Sequence, residues 1–197
     1  MTLLTVLILF AAVLGGYVYC YNGLVNSKLK VDEGWSGIIV QLKRRHELIP
    51  NLVNAARTAM SHESGILESI LEARSNALAA LADENHDTVN EAEAALTSAL
   101  NGFVGYTEDN PEITATDNIQ LLQRQLEETE DQIAASRRLF NGNVQAFNTK
   151  VMSIPWNFIA NMKGFRPETM FEVDATEMVT INKPTDIAAL GMDGDRR

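Results

Sequence analysis

The chain is poor in the residues from which most catalytic and metal centres are built. Its 197 residues include one cysteine and three histidines, so an internal disulfide is impossible and a zinc site would have few ligands. His46-Glu47 begins like the zinc motif H-E-x-x-H, but Pro50 stands where the second histidine should be. No G-x-S-x-G, phosphate-loop or dinucleotide-binding pattern is present. We therefore expect no enzymatic activity, no metal and no cofactor.

Basic charge is also scarce. The 16 Lys and Arg residues are outnumbered by 26 Asp and Glu residues, which gives a formal net charge of −10. Nucleic-acid binding requires a basic face that neutralises phosphates, so we expect no nucleic-acid partner. The acidic run "EETED" at residues 127–131 is open to interpretation as a cation site. Consecutive carboxylates on a helix point in different directions, however, which favours a solvated face.

Charge is absent altogether from residues 3–21. As a helix this stretch is about 28 Å long, close to the thickness of a bilayer core, and we interpret it as a transmembrane anchor. Tyr17, Tyr19 and Tyr21 crowd its C-terminal end, where such rings favour the membrane interface. The alternative is a cleaved signal peptide, but the stretch lacks a basic n-region and a small-x-small cleavage site.

Sidedness follows from the flanking charges. No Lys or Arg precedes the anchor, whereas Lys28 and Lys30 follow it closely. The positive-inside rule then places the N-terminus outside and the main domain in the cytoplasm of a single-pass protein.

Hydrophobic residues recur at steps of three and four from the anchor almost to residue 163, which predicts helices. Pro50 lies within the apolar seam of the first helix, and the seam keeps its phase up to Met60. Because a proline inside a helix usually kinks it without ending it, we expect one bent helix. Gly34 and Gly37 flank Trp35 in this helix and are expected to permit a close approach of a neighbour.

Three more helices are predicted. The second follows "SHESG", and the third runs from Val89 to Tyr106. Asn110 and Pro111 are interpreted as the N-cap and first position of the fourth helix. That helix extends for about 40 residues, through Ile154.

The helix lengths predict an all-α fold: an N-terminal transmembrane helix followed by an up-and-down four-helix bundle with two long and two short helices. The expected segments are an anchor at 1–21, the bundle at 22–165, and a polar, largely extended or disordered tail at 166–197. Short helices cover only the far half of the long pair. The apolar seam on the near half is therefore expected to be covered by a partner. A second copy of the chain is the simplest partner, which predicts a homo-oligomer.

Two stretches carry candidate interaction residues. Around "SIPWNFIANMKGF", Trp156, Phe158 and Phe165 fit a short amphipathic segment at the membrane interface, in contact with lipid, or equally the last packed turn of the bundle. The basic residues Lys43, Arg44 and Arg45 fit either an exposed flank that faces acidic residues elsewhere or a docking patch for a partner or anionic membrane.

Several motifs strongly resemble the LemA family: "YNGLV", Trp35-Ser36, "VQLKRRHELIPNLV", Ala73-Arg74, "LQRQLEETEDQIAASRRLFNGNVQAFN" and Gly164-Phe165. The similarity extends from Leu3 to Phe171. It implies a bacterial membrane-anchored bundle of long helices with no established enzymatic activity, and hence the bacterial inner membrane as its location. It also implies that the basic stretch with its proline is part of the family architecture.

Two functions are compatible with these observations. The first is a non-catalytic scaffold that associates with itself through its long helices. The second is an adaptor that presents the basic stretch and the bundle tip to another membrane protein, such as a protease or a signalling protein. The sequence identifies neither a specific partner nor a biological process.

Overall fold

The computed structural model describes residues 2–60, 63–83, 85–113 and 117–171, and these form five helices. α1 spans Thr2–Ala56, α2 Ser64–Asp83, α3 His86–Asp109, α4 Asp117–Met152 and α5 Trp156–Lys163. The all-α prediction is confirmed.

α1 is one continuous helix of 55 residues with Pro50 inside it. Its N-terminal part is long and apolar enough to cross a membrane, and nearly all of the side chains there are exposed. At 1.5 Å per residue the whole helix is about 80 Å long. The predicted anchor and the bundle therefore share a single helix with no break between them.

α4 packs antiparallel along α1, and the short α2 and α3 pack against each other over the far half of α1. Within the described residues the backbones of α3 and α4 do not come into contact, so only side chains connect them. The predicted arrangement of two long and two short helices is present. One of its four sides is a groove between α3 and α4.

The buried residues form two hydrophobic cores, one at each end of the domain. The near core lies next to the apolar run and contains Leu24, Ile38 and Phe140. The far core contains Leu52 and Phe103. Between Leu42 of the near core and Ile49 of the far core, the buried side chains of α1 are polar: Arg45 and His46. A polar layer thus separates the two cores.

The near half of the long pair is partly covered by the chain itself, along α4, and the sequence did not indicate this. After α5, residues 165–171 return along α4, where the amide of Asn148 bonds the backbone of Glu168 and that of Asn141 bonds the backbone of Phe171. Phe171 is buried in the near core. The remainder of the predicted tail, residues 172–197, lies outside the described residues.

The interpretation of Asn110 and Pro111 was wrong. Asn110 caps the C-terminus of α3 through its backbone N–H, which bonds the carbonyl of Tyr106. Its side-chain amide bonds the same carbonyl. A turn follows, in which the N–H of Ile113 bonds the carbonyl of Asn110, and α4 begins only at Asp117. A side chain that satisfies the last carbonyls of one helix competes with the N-cap role that the sequence pattern suggested.

Candidate functional site

The polar layer is a cluster of charged side chains at the centre of the domain. His46 Nε2 lies 2.7 Å from Glu93 Oε1, and both side chains are buried. Arg45 NH1 lies 3.5 Å from Glu93 Oε2 and 3.2 Å from Glu130 Oε2. Arg45 also donates a 2.8 Å hydrogen bond to the hydroxyl of Thr97. The cluster thereby connects α1, α3 and α4.

This arrangement divides the predicted basic patch. The side chain of Arg45 is only 3% exposed, so it belongs to the interior and is removed from the docking patch predicted at residues 43–45. Lys43 and Arg44 are exposed, and Arg44 lies 3.8 Å from Glu128. The expectation of an exposed flank that faces acidic residues therefore describes Arg44 but not Arg45.

The acidic run at 127–131 is likewise divided. Glu130 faces the buried Arg45, and Thr129 is buried and bonds back to the carbonyl of Gln125. Glu127, Glu128 and Asp131 are exposed. Among the residues that the structure describes, no group of three or more His, Cys, Asp or Glu side chains is arranged to hold a metal ion.

Pro50 has a structural partner that the sequence did not reveal. A residue at position 50 would normally donate its N–H to the carbonyl of His46, but proline has no N–H. Arg74 of α2 donates to that carbonyl instead, with its Nε 2.8 Å from the oxygen. The proline therefore does not leave a buried acceptor unpaired, and the freed carbonyl connects α1 with α2.

The groove between α3 and α4 opens above this cluster. It encloses about 300 Å³, and its apolar lining includes Leu52, Leu100, Phe103 and Leu126. Its polar lining includes Arg45 at the base together with Thr97, Gln123, Glu127 and Glu130. The groove is thus mainly apolar; Glu130 is paired with Arg45 at its base, and Glu127 adds an exposed carboxylate from α4.

Trp35 is the centre of a ring cluster where the short helix pair ends. Its ring centroid lies 3.8 Å from that of His86, 5.7 Å from that of Phe140 and 5.8 Å from that of Phe171. Burial lowers the pKa of His86 below 6.5, opposed by the negative charge of Glu168. Nearby, burial acts to lower the pKa of Lys28, but its bonds to Glu168 and Asp32 outweigh that effect and raise the pKa.

A set of rings, which we call the aromatic collar, surrounds α1 where the apolar run ends. It comprises Tyr17, Tyr19, Tyr21, Trp156 and Phe165. Tyr17 and Tyr21 stack at 6.3 Å, Tyr19 lies 6.3 Å from Trp156, and Tyr21 lies 6.4 Å from Phe165. The structure therefore brings together the tyrosines and the two α5-region rings that the sequence singled out separately.

Within the predicted interfacial segment, the side chains point in two directions. Trp156 and Phe165 pack against the near core and are only partly exposed, and Ile159 is buried. The exposed apolar side chains are Ile154, Phe158 and Met162, at 74%, 68% and 63% exposure. Ile154 was not among the candidate interface residues, whereas Met162 belongs to the apolar side of the predicted amphipathic segment. Met162 lies four positions after Phe158 in α5, so these two side chains share one face of the helix.

Comparison with known proteins gives one family and several partial relatives. The LemA family model matches residues 34–183. Magnetosome protein MamQ 2 of Paramagnetospirillum magneticum strain AMB-1 is 28% identical over 81 residues, which is 41% of this chain and 30% of that protein. Magnetosome protein MamQ of Magnetospirillum gryphiswaldense strain MSR-1 is 27% identical over 75 residues, or 38% of this chain and 28% of that protein. The chain thus spans less than a third of the length of these relatives.

Proposed function

Because this chain belongs to the LemA family, we propose that it is a membrane-anchored, self-associating scaffold without catalytic activity. The observation that carries the proposal is the continuity of α1, which runs from the apolar segment through both cores of the bundle. A rigid connection between anchor and bundle suits a protein that holds a position at a membrane. The relatives are named as magnetosome proteins, and that role is not extended to this chain.

Self-association is supported by apolar side chains on the outer face of α1. Leu29 is 58% exposed and Val40 is 61% exposed. Each precedes a buried residue, Val31 or Leu42, by two positions, which places it about 200° round the helix from it. Leu29 and Val40 are 11 positions apart, about three turns, so they share one face. That face points away from α4 and is available to a second copy.

The mass of the full-length protein in mild detergent tests this proposal. We expect light scattering, corrected for bound detergent, to give a discrete oligomer, and Val40→Glu combined with Leu29→Glu to reduce its size. Leu121→Glu is the matched control, because Leu121 is 48% exposed but lies at the far end of α4. A monomeric wild-type protein would rule out self-association.

We also propose that the main domain lies in the cytoplasm, with the N-terminus outside, at the bacterial inner membrane. The fold supports this placement because it adds Lys163 and Arg166, both exposed, to the end of the domain where Lys28 and Lys30 follow the apolar run. Protease accessibility in sealed inverted vesicles tests the placement. A main domain that is protected in inverted vesicles and digested in intact spheroplasts would contradict it.

The groove between α3 and α4 supports a second candidate, an adaptor. Its apolar lining and the exposed carboxylate of Glu127 suit an amphipathic helix that carries Lys or Arg, presented by another membrane protein. Capture of partners by wild-type protein and by a Val104→Glu variant tests this candidate, with Leu78→Glu on α2 as the matched control, because Val104 lines the groove and the two side chains are 41% and 38% exposed. The double variant Lys43→Glu, Arg44→Glu tests the exposed part of the basic stretch in the same assay. A pure scaffold keeps its partners and its size in all of these variants.

A further inference from the structure

α5 crosses α1 instead of running along it. At its N-terminal end, the indole of Trp156 approaches Gly23 so closely that a Cβ there would lie 3.1 Å from Nε1. At its C-terminal end, Lys163 Nζ lies 5.8 Å from the ring centroid of Tyr21. Eight residues of helix are about 12 Å long, whereas Tyr21 and Gly23 are only about 3 Å apart along α1. Both ends of α5 thus contact the same turn of α1, so α5 lies transverse to it.

That turn is the end of the apolar run. Residues 3–21 carry no charge, and the first charged residue after them is Lys28. If α1 crosses a bilayer through this run, a transverse helix at residues 21–23 lies near the plane of the membrane surface.

The rest of the domain lies on the other side of α5. α4 enters from the bundle and ends at Met152, and residues 165–171 return along α4 from Asn148 to Asn141. Ile159 and Ala160 turn into the near core. The segments before and after α5 therefore both lead into the bundle, and one face of α5 is buried against it. α5 itself is the part of the domain that comes closest to the apolar run.

The face of α5 that remains uncovered is mainly apolar, with one exposed amide side chain among its residues. Phe158 and Met162 lie one turn apart on α5 and are 68% and 63% exposed, and Ile154, in the turn just before α5, is 74% exposed. Exposure of such a face to water is unfavourable in proportion to its apolar area. Lys163 and Arg166, at the end of α5, are exposed and suited to lipid phosphates.

We propose that α5 is a second membrane contact, which inserts Phe158 and Met162, together with Ile154 from the turn before it, into the boundary between lipid headgroups and acyl chains. The occupant of this face is a lipid surface. The inference rests on the anchoring part of the proposed function and deepens it, because a spanning helix alone leaves the bundle free to rotate about its axis. A second contact on one side of α1 fixes which side of the bundle faces the membrane.

Spin labels on single cysteines test the proposal in the full-length protein reconstituted in phosphatidylcholine and phosphatidylglycerol vesicles. Cys20 is buried, and Cys20→Ala provides the cysteine-free background. Labels are placed by Phe158→Cys and, in separate variants, Ile154→Cys and Met162→Cys. Leu139→Cys is the matched control, because Leu139 is 63% exposed but lies more than three turns before the end of α4. Leu9→Cys reports on the apolar run itself. Each variant is first checked for helix content and melting temperature.

Collisions with oxygen and with a water-soluble nickel complex then give the depth of each label. We expect the label at 158 to favour oxygen over nickel, at a depth of about 5–10 Å, and the label at 139 to show the reverse. Labels at 158 and 139 that behave alike, with the label at 9 deep in the bilayer, would overturn the proposal and leave the anchor intact. A label at 9 that is accessible to nickel would overturn anchoring and the proposal together. Protection of 158 from both reagents, with spin–spin broadening, would assign the face to a second copy and also overturn the proposal.

Discussion

The Nε of Arg74 donates a 2.8 Å hydrogen bond to the carbonyl of His46, the acceptor that Pro50 leaves free in α1. A proline four residues after a carbonyl removes the usual donor. Here a side chain from the neighbouring helix replaces it, so the proline and the arginine form one unit although 24 positions separate them in the sequence.

This relationship predicts coupling between Pro50 and Arg74. We expect Arg74→Met to lower the free energy of unfolding by about 1.5–3 kcal/mol, because a charged donor is lost from an otherwise unpaired carbonyl. In a Pro50→Ala background the same change should cost less, since the alanine restores a backbone N–H that can bond the carbonyl. A double-mutant cycle from denaturant unfolding should give a coupling of about 1 kcal/mol. Arg138, whose Nε bonds a carbonyl of its own helix, is the control and should show no coupling to residue 50.

The buried cluster predicts a large effect at Glu93. Glu93→Ala leaves the buried side chains of Arg45 and His46 without their shared partner. We expect the free energy of unfolding to fall by about 3–5 kcal/mol, the typical cost of breaking a buried pair. Denaturant unfolding followed by circular dichroism measures it, with Glu91→Ala as the control on the exposed face of the same helix. Equal midpoints for the two variants would contradict a structural role for the cluster.

The two neighbouring arginines of the basic stretch should respond differently to charge reversal. Arg44→Glu removes an exposed pair of the kind that contributes about 0–1 kcal/mol, so the melting temperature should change little. Arg45→Glu places a third carboxylate beside Glu93 and Glu130 and should cost at least about 3–5 kcal/mol. Thermal unfolding of the two variants in parallel checks this. Similar losses in both would contradict the division of the patch.

The glycines that flank Trp35 form a matched pair. A Cβ on Gly34 would lie 3.1 Å from the backbone Cα of Phe140, so α1 and α4 would have to separate. A Cβ on Gly37 would meet nothing within 4 Å. We expect Gly34→Ala to lower the free energy of unfolding by about 1–3 kcal/mol through overpacking, and Gly37→Ala to raise it by up to about 1 kcal/mol through helix propensity. Denaturant midpoints of the two variants should therefore move in opposite directions.

His86 predicts a pH dependence. Burial lowers its pKa below 6.5, so the unfolded chain binds a proton at a higher pH than the folded chain does. Stability should fall as the pH decreases through 6.5 towards the lowered pKa, and no further loss from this group is expected below it. Melting temperatures of the wild type and of His86→Gln, measured above and below pH 6.5, check this. The loss on acidification should be smaller in the variant, and equal losses would contradict the assignment.

Sequence periodicity predicted the fold well where the apolar seams are regular. The continuous first helix, the proline inside it and the pairing of long with short helices all follow from steps of three and four in the seams. Such steps report which face of a helix is buried but not which polar residue shares that face. Arg45, for example, was assigned to an exposed flank or a docking patch because arginine usually lies at the surface.

The candidate site was harder to predict because its contacts are distant in sequence. Glu93 and Glu130 lie 48 and 85 positions from Arg45, and nothing local marks either of them as buried. The same applies to Phe171, which fills the near core from a segment with no periodicity. At α5 the sequence identified the apolar residues correctly. Trp156 and Phe158 point in nearly opposite directions, so which of them faces outwards depends on how α5 is rotated against the bundle, and tertiary packing sets that rotation.

Because α1 is unbroken, a small tilt of its N-terminal part produces a large displacement at the far end of the bundle. From Tyr21 to Ala56 the helix rises by about 50 Å. In a chain held at a bilayer by its first turns, each degree of tilt then shifts the far end of the bundle sideways by roughly 1 Å, because no hinge lies between them below Pro50. A few Å of change in bilayer thickness, which tilts spanning helices, would thus become a larger displacement at the groove between α3 and α4.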